Sequence, residues 1–133
     1  MYRGSCLCGT VQYEVRGEFG AGYFCHCKRC RKATGTAFAS SALVAAQEFV
    51  VVAGERAMKS FSVNGVHRVF CAECGSPIIS RRDAMPDFVR VRLGTLDSPL
   101  EHGPQGHIYV DSKADWFEIH DSLPQYPAEP PRG

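Results

Sequence analysis

Short stretches of alternating apolar and polar residues run through most of this chain. Thr10-Val11-Gln12-Tyr13-Glu14-Val15 puts Val11, Tyr13 and Val15 on one side and polar residues on the other, the pattern of a half-buried strand. Similar patterns predict strands over 23–25, 37–45, 49–53, 58–63, 67–71, 77–80, 88–93 and 106–110. In the 88–93 stretch, Val89, Val91 and Leu93 share one face against Arg90 and Arg92. Asn64-Gly65 sits between two of these stretches as a two-residue hairpin signal. A helix is predicted only from Cys27 to Thr34, which is rich in helix formers and stops at Gly35. Phe38, Phe49 and Phe61 are expected in the core, with Trp116-Phe117 packing the C-terminal segment back onto them. Many short strands with close turn signals predict a mainly β fold.

The 133 residues suit one compact domain, here placed at 1–123. The stretch 124–133, with four prolines, is expected to be an irregular or frayed tail. No apolar run approaches the roughly 18 residues of a membrane span. Met1–Cys6 lacks the apolar stretch of a signal peptide, so a cytoplasmic protein is expected. A formal charge of +1 offers no electrostatic case for nucleic acid or an anionic membrane as partner.

The seven cysteines change this picture. An odd number is a poor disulfide framework, and the spacing is that of metal ligands. They form three clusters: Cys6-x-Cys8, Cys25-x-Cys27-x-x-Cys30 and Cys71-x-x-Cys74. Two pairs make a tetrahedral four-thiolate site, so Cys6, Cys8, Cys71 and Cys74 are expected to hold a structural zinc. Cys25, Cys27 and Cys30 then form a second zinc site whose fourth position is left to water, substrate or a histidine such as His26. Metal-free reduced thiols are the plainer alternative. Gly9 and Gly75 each follow the last cysteine of a pair, where a positive φ turns backbone N–H groups toward the thiolates. Lys28, Arg29, Arg31 and Lys32 surround the second cluster, either offsetting thiolate charge or docking an anionic substrate.

Three segments together, Gly4–Tyr13, Cys25–Gly35 and Phe70–Pro77, resemble the glutathione-dependent formaldehyde-activating enzyme family, to which the centromere protein V domain also belongs. His107-Ile108-Tyr109, Trp116 and Leu123–Tyr126 are similar to its closing segment. The resemblance implies a zinc domain of folded-over antiparallel sheets, of the Mss4-like or β-tent type. It implies two zinc ions per chain, on the two cysteine sets above, the second linked to activity. It also implies carbon–sulfur lyase chemistry on a small thiol adduct, the family's founding reaction joining glutathione and formaldehyde as S-(hydroxymethyl)glutathione. On this reading Cys25, Cys27 and Cys30 act through bound zinc, Lys28, Arg29, Arg31 and Lys32 meet the carboxylates of glutathione, and His26 shuttles a proton or acts as a spacer. The alternatives are a non-catalytic zinc-stabilised binding module and a zinc store. His67, His102, His107 and His120 are read as ordinary strand or loop residues.

Overall fold

The computed structural model describes residues 1–130. In chain order its strands are β1 (Tyr2–Ser5), β2 (Gln12–Val15), β3 (Gly22–Cys25), β4 (Ala39–Ala45), β5 (Phe49–Ala53), β6 (Met58–Val63), β7 (Val66–Cys71), β8 (Pro77–Arg82), β9 (Phe88–Arg92) and β10 (His107–Ile108). One helix, α1 (Lys28–Thr34), follows β3. The mainly β architecture and the single helix at the second cysteine motif are those the sequence predicts. Two compact units emerge, one of Met1–Gly20 with Ala42–Glu101, the other of Ala21–Ser41 with the chain from His102 onward.

The first unit contains an antiparallel sheet in the order β1-β2-β5 and an antiparallel ladder β9-β8-β7-β6. Val11, Tyr13 and Val15 from the sheet share a core with Ile78, Val89 and Val91 from the ladder. Alternation explains this, because every second residue of β2 and its approach points inward. Asn64 and Gly65 take φ of 50° and 76°, and β6 and β7 pair from Val63↔Val66 to Met58↔Cys71 around them. This is the positive-φ two-residue turn that matches the twist of a hairpin.

In the second unit β10 pairs in parallel with β3, His107 opposite Phe24 and Ile108 opposite Cys25. Phe24, Phe38 and Phe117 pack around His26 and His107, with ring centroids 4.8 to 6.2 Å apart. Residues 124–130 are irregular, as their prolines predict, and are tied down by the backbone. Backbone bonds join His107 to Pro124 and Tyr126, Val110 to Tyr126, and Tyr109 to Ala128. Residues 131–133 of the expected tail lie outside the described residues.

Other differences have local causes. β1 carries no clear alternation and forms because β2 supplies a partner from Tyr2↔Val15 to Ser5↔Gln12. The predicted strand 106–110 is reduced to two residues because Tyr109 takes φ 57° and a short helical turn follows at Val110–Ser112. Phe61 stands 47% exposed on β6 and Trp116 68% exposed, so neither is core; Phe117 alone of the Trp116-Phe117 pair packs edge-on against Phe38, at 5.5 Å.

Candidate metal centres

All seven cysteines are free, and the structure gathers them into the two groups that spacing predicts. Cys6, Cys8, Cys71 and Cys74 lie in the first unit with their sulfurs all within 4.8 Å of one another. Two tight turns place them. In one, Cys6 N–H bonds Val11 O at 3.0 Å and Gly9 N–H bonds Cys6 O at 3.1 Å. In the other, Cys71 N–H bonds Ser76 O at 2.9 Å and Gly75 N–H bonds Cys71 O at 2.7 Å. Gly9 and Gly75 both take φ 80°, the left-handed conformation that closes such a turn and that a side chain would strain. Val11 N–H also donates to Cys6 Sγ at 3.2 Å.

The sulfur spacing tests the fit. Cys6 Sγ is 3.6 Å from Cys8 Sγ, and Cys8 Sγ is 3.9 Å from Cys71 Sγ. A tetrahedral ion with metal–sulfur bonds of about 2.3 Å requires sulfurs roughly 3.8 Å apart. The group therefore has the dimensions of a four-thiolate metal site. Hydrogen bonds to the side chain and backbone of Ser76 push Cys74 down to about 5, while burial pushes Cys71 up to about 11. Without a cation these sulfurs cannot all be thiolate.

Cys25, Cys27 and Cys30 form the second group, within 4.8 Å of one another and entirely in the second unit. Cys25 ends β3, Cys27 caps α1, and Cys30 lies in its first turn. Cys27 Sγ accepts from Cys30 N–H at 3.3 Å, so folding the helix start brings these two ligands together. Hydrogen bonds from Cys25 and Cys30 drive Cys27 far below the usual thiol range, whereas Cys25 is driven up by its bonds to Cys27 and Cys30 and then by burial. One negative charge is accommodated and the next is resisted, which is the electrostatic situation a divalent cation relieves. No fourth His, Cys, Asp or Glu joins this group among the described residues. His26, a candidate fourth ligand on sequence grounds, is not part of it.

His26 instead starts a buried polar chain that sequence reasoning missed. His26 Nε2 lies 2.8 Å from His107 Nδ1, and His107 Nε2 lies 3.0 Å from Asp121 Oδ2. With Asp121 accepting from His107 Nε2–H, His107 Nδ1 is an acceptor and His26 Nε2–H donates to it. Burial first, then the neighbouring His107 ring and the Lys113 ammonium, push His26 down to about 4. The bond from His107 lowers Asp121. His26 is fully enclosed, which suits an anchoring spacer between two ligands better than a proton shuttle. Its backbone N–H also bonds Ile108 O at 3.0 Å. No local signal marks His107 or Asp121, because they are brought to His26 only by β10 and the chain after it.

The four basic residues divide. Lys28, Arg29 and Lys32 are exposed on α1. Arg31 Nη1 donates to Ser112 O at 2.7 Å, fastening the helix to the turn after β10.

A mainly β protein with one four-cysteine and one three-cysteine group is a cysteine-rich domain with two sites that could hold metal ions. Compared with known families, residues 1–112 match the glutathione-dependent formaldehyde-activating enzyme family, and the chain belongs to it. The fold is similar to that in the crystal structure of a Rhodobacter sphaeroides protein, with TM-score 0.63 and 24% identity, covering 74% of this chain and 91% of that one. None of the curated proteins compared with the chain matches it. Among the described residues no helix is long and apolar enough to cross a membrane.

Proposed function

We propose that this protein is a carbon–sulfur lyase-like enzyme that binds two zinc ions per chain and acts on a small thiol adduct such as S-(hydroxymethyl)glutathione. The observation that carries the reading is the three-cysteine group with no fourth protein ligand beside it among the described residues. Cys25, Cys27 and Cys30 would hold the zinc ion, which would supply a site for an incoming sulfur and lower the pKa of its thiol. In the cleavage direction, the C–S bond breaks with its electron pair on sulfur. The hydroxyl loses its proton as the carbonyl of formaldehyde forms, and thiol and formaldehyde leave.

The chain's own residues have separable parts in this. Cys25, Cys27 and Cys30 supply the ligands, with Cys27 held by the helix start. Exposed Lys28, Arg29 and Lys32 meet carboxylates of the thiol, while Arg31 is engaged with Ser112 and positions the helix. His26, His107 and Asp121 hold the ligand-bearing segment in place. A cytoplasmic location suits thiols that must stay reduced.

Native mass measurement of the purified protein with glutathione tests the reading, followed by formaldehyde kinetics. The expected result is two zinc ions, a glutathione adduct lost in Cys30→Ser, and a rate above the uncatalysed reaction. Two zinc ions with no glutathione adduct and no rate enhancement would sink it.

A further inference from the structure

Arginines share one face of the β9-β8-β7 ladder in the first unit. The register sets Arg68 of β7 opposite Ser80 of β8, and Ser80 opposite Arg90 of β9, so the three stand in one row. Arg92, two residues along β9, falls on the same side of the pleat. Adjacent residues in such a row are about 5 Å apart at Cα, which puts the short Ser80 side chain between two long guanidinium side chains.

This face is not a solvated one. Arg68 is 9% exposed, Ser80 and Arg92 are buried, and Arg90 is half-buried. Enclosing a guanidinium is unfavourable unless a counter-charge or a full set of acceptors compensates it. Arg68 has neither. Its Nε is sealed from solvent without a hydrogen-bond partner, and no carboxylate pairs with it among the described residues. Asp83, the acid just beyond β8, is held at 2.6 Å by His67 Nε2, and His67 alternates to the other side of β7.

We propose that this face binds an oxyanion, the carboxylate or phosphate group of a small ligand. Arg68 is its principal donor, and the Ser80 hydroxyl, next to it in the row, donates beside it. The planar guanidinium fork matches two oxygens of either group, and a bound anion supplies the charge that Arg68 lacks. The proposal does not depend on the reading of the three-cysteine centre.

Melting of the metal-loaded protein in inorganic phosphate, in succinate and in chloride of matched ionic strength tests it. Phosphate, succinate or both should raise the melting temperature by several degrees over chloride, because a ligand bound only by the folded state stabilises it. A rise with phosphate alone marks a tetrahedral ligand, and a rise with succinate alone marks a carboxylate. Arg68→Met should abolish the rise. Arg68→Lys, which keeps the charge but loses the fork, should weaken anion affinity about tenfold, and this variant with Ser80→Ala carries the test if Arg68→Met does not fold. No rise over chloride with either anion, or the same rise in the parent and the Arg68 variants, overturns the proposal.

Discussion

The two cysteine groups are built from the same side chain and differ in almost everything else. The four-cysteine group ties turns 65 residues apart in sequence, Cys6 to Cys71, and two of its members are buried in the main core. The three-cysteine group is local, spanning Cys25 to Cys30, and two of its members are half-exposed at the start of a helix. A metal in the first closes a long loop and joins the sheet to the ladder. A metal in the second organises only the end of β3 and the first turn of α1. Ligand separation along the chain therefore distinguishes a site that holds the fold from one that the fold holds.

The sharpest way to break this contrast is to remove one ligand from each group. Cys71→Ser should abolish the cooperative melt seen by circular dichroism, because structural metal binding supplies on the order of 10 kcal/mol of folding free energy. Cys30→Ser should retain that melt within about 2 kcal/mol and lose one equivalent of metal. Equal collapse of both variants would mean that the groups are energetically alike.

A competing chelator tests the same difference without mutation. Metal should leave the three-cysteine group first, with the β signal intact, and leave the four-cysteine group only as the protein unfolds. Release in one step together with loss of structure would contradict the local character of the second group.

Within the second unit, His107→Ala should cost about 2–4 kcal/mol, since it opens a cavity and strands the buried His26 donor. Hydrogen exchange should speed up most at Phe24, His26 and Tyr126, whose amides bond around β10. Unchanged protection there would remove His107 from its anchoring role.

Tyr13 gives the first unit a titration. Its hydroxyl shares a 2.6 Å hydrogen bond with Thr95 Oγ1, and burial pushes it up to about 12. The unfolded phenol ionises near 10, so the folded state retains a proton that the unfolded state has lost between those values. Stability should be unaffected by this group below about pH 10 and should fall by up to about 2 kcal/mol as pH rises toward 12. Tyr13→Phe should flatten that decline and cost about 1 kcal/mol at neutral pH. An equally steep decline in the variant would assign the alkaline loss to another group. The smallest effect is expected at exposed Trp116, where Trp116→Ala should change stability by no more than about 0.5 kcal/mol in either direction, measured by denaturant unfolding.

Much of the fold is legible where a rule is local. The alternation of Val11, Tyr13 and Val15, the Asn64-Gly65 turn and the Cys27-to-Gly35 helix signal all act through neighbouring residues, and the structure follows them. The same rules misjudge Phe61 and Trp116. Whether a strand face is covered depends on what the rest of the chain lays against it, and the pattern of one strand carries no record of that. β1 is beyond such rules for a related reason, since it exists through its partner rather than its own alternation, and the rules place a strand at 106–110 without foreseeing its cut to two residues.

The sequence by itself determined which cysteines belong together, because ligand pairs two or three residues apart enter one site with little loss of chain entropy. It also determined the mainly β architecture and the family. The tertiary structure alone decided that no histidine joins the three cysteines among the described residues, that His26 is locked to His107 and Asp121, and that Arg68 is enclosed without a counter-charge. Those facts turn on residues far apart in the chain, and only a folded backbone sets the distance and the dielectric between them.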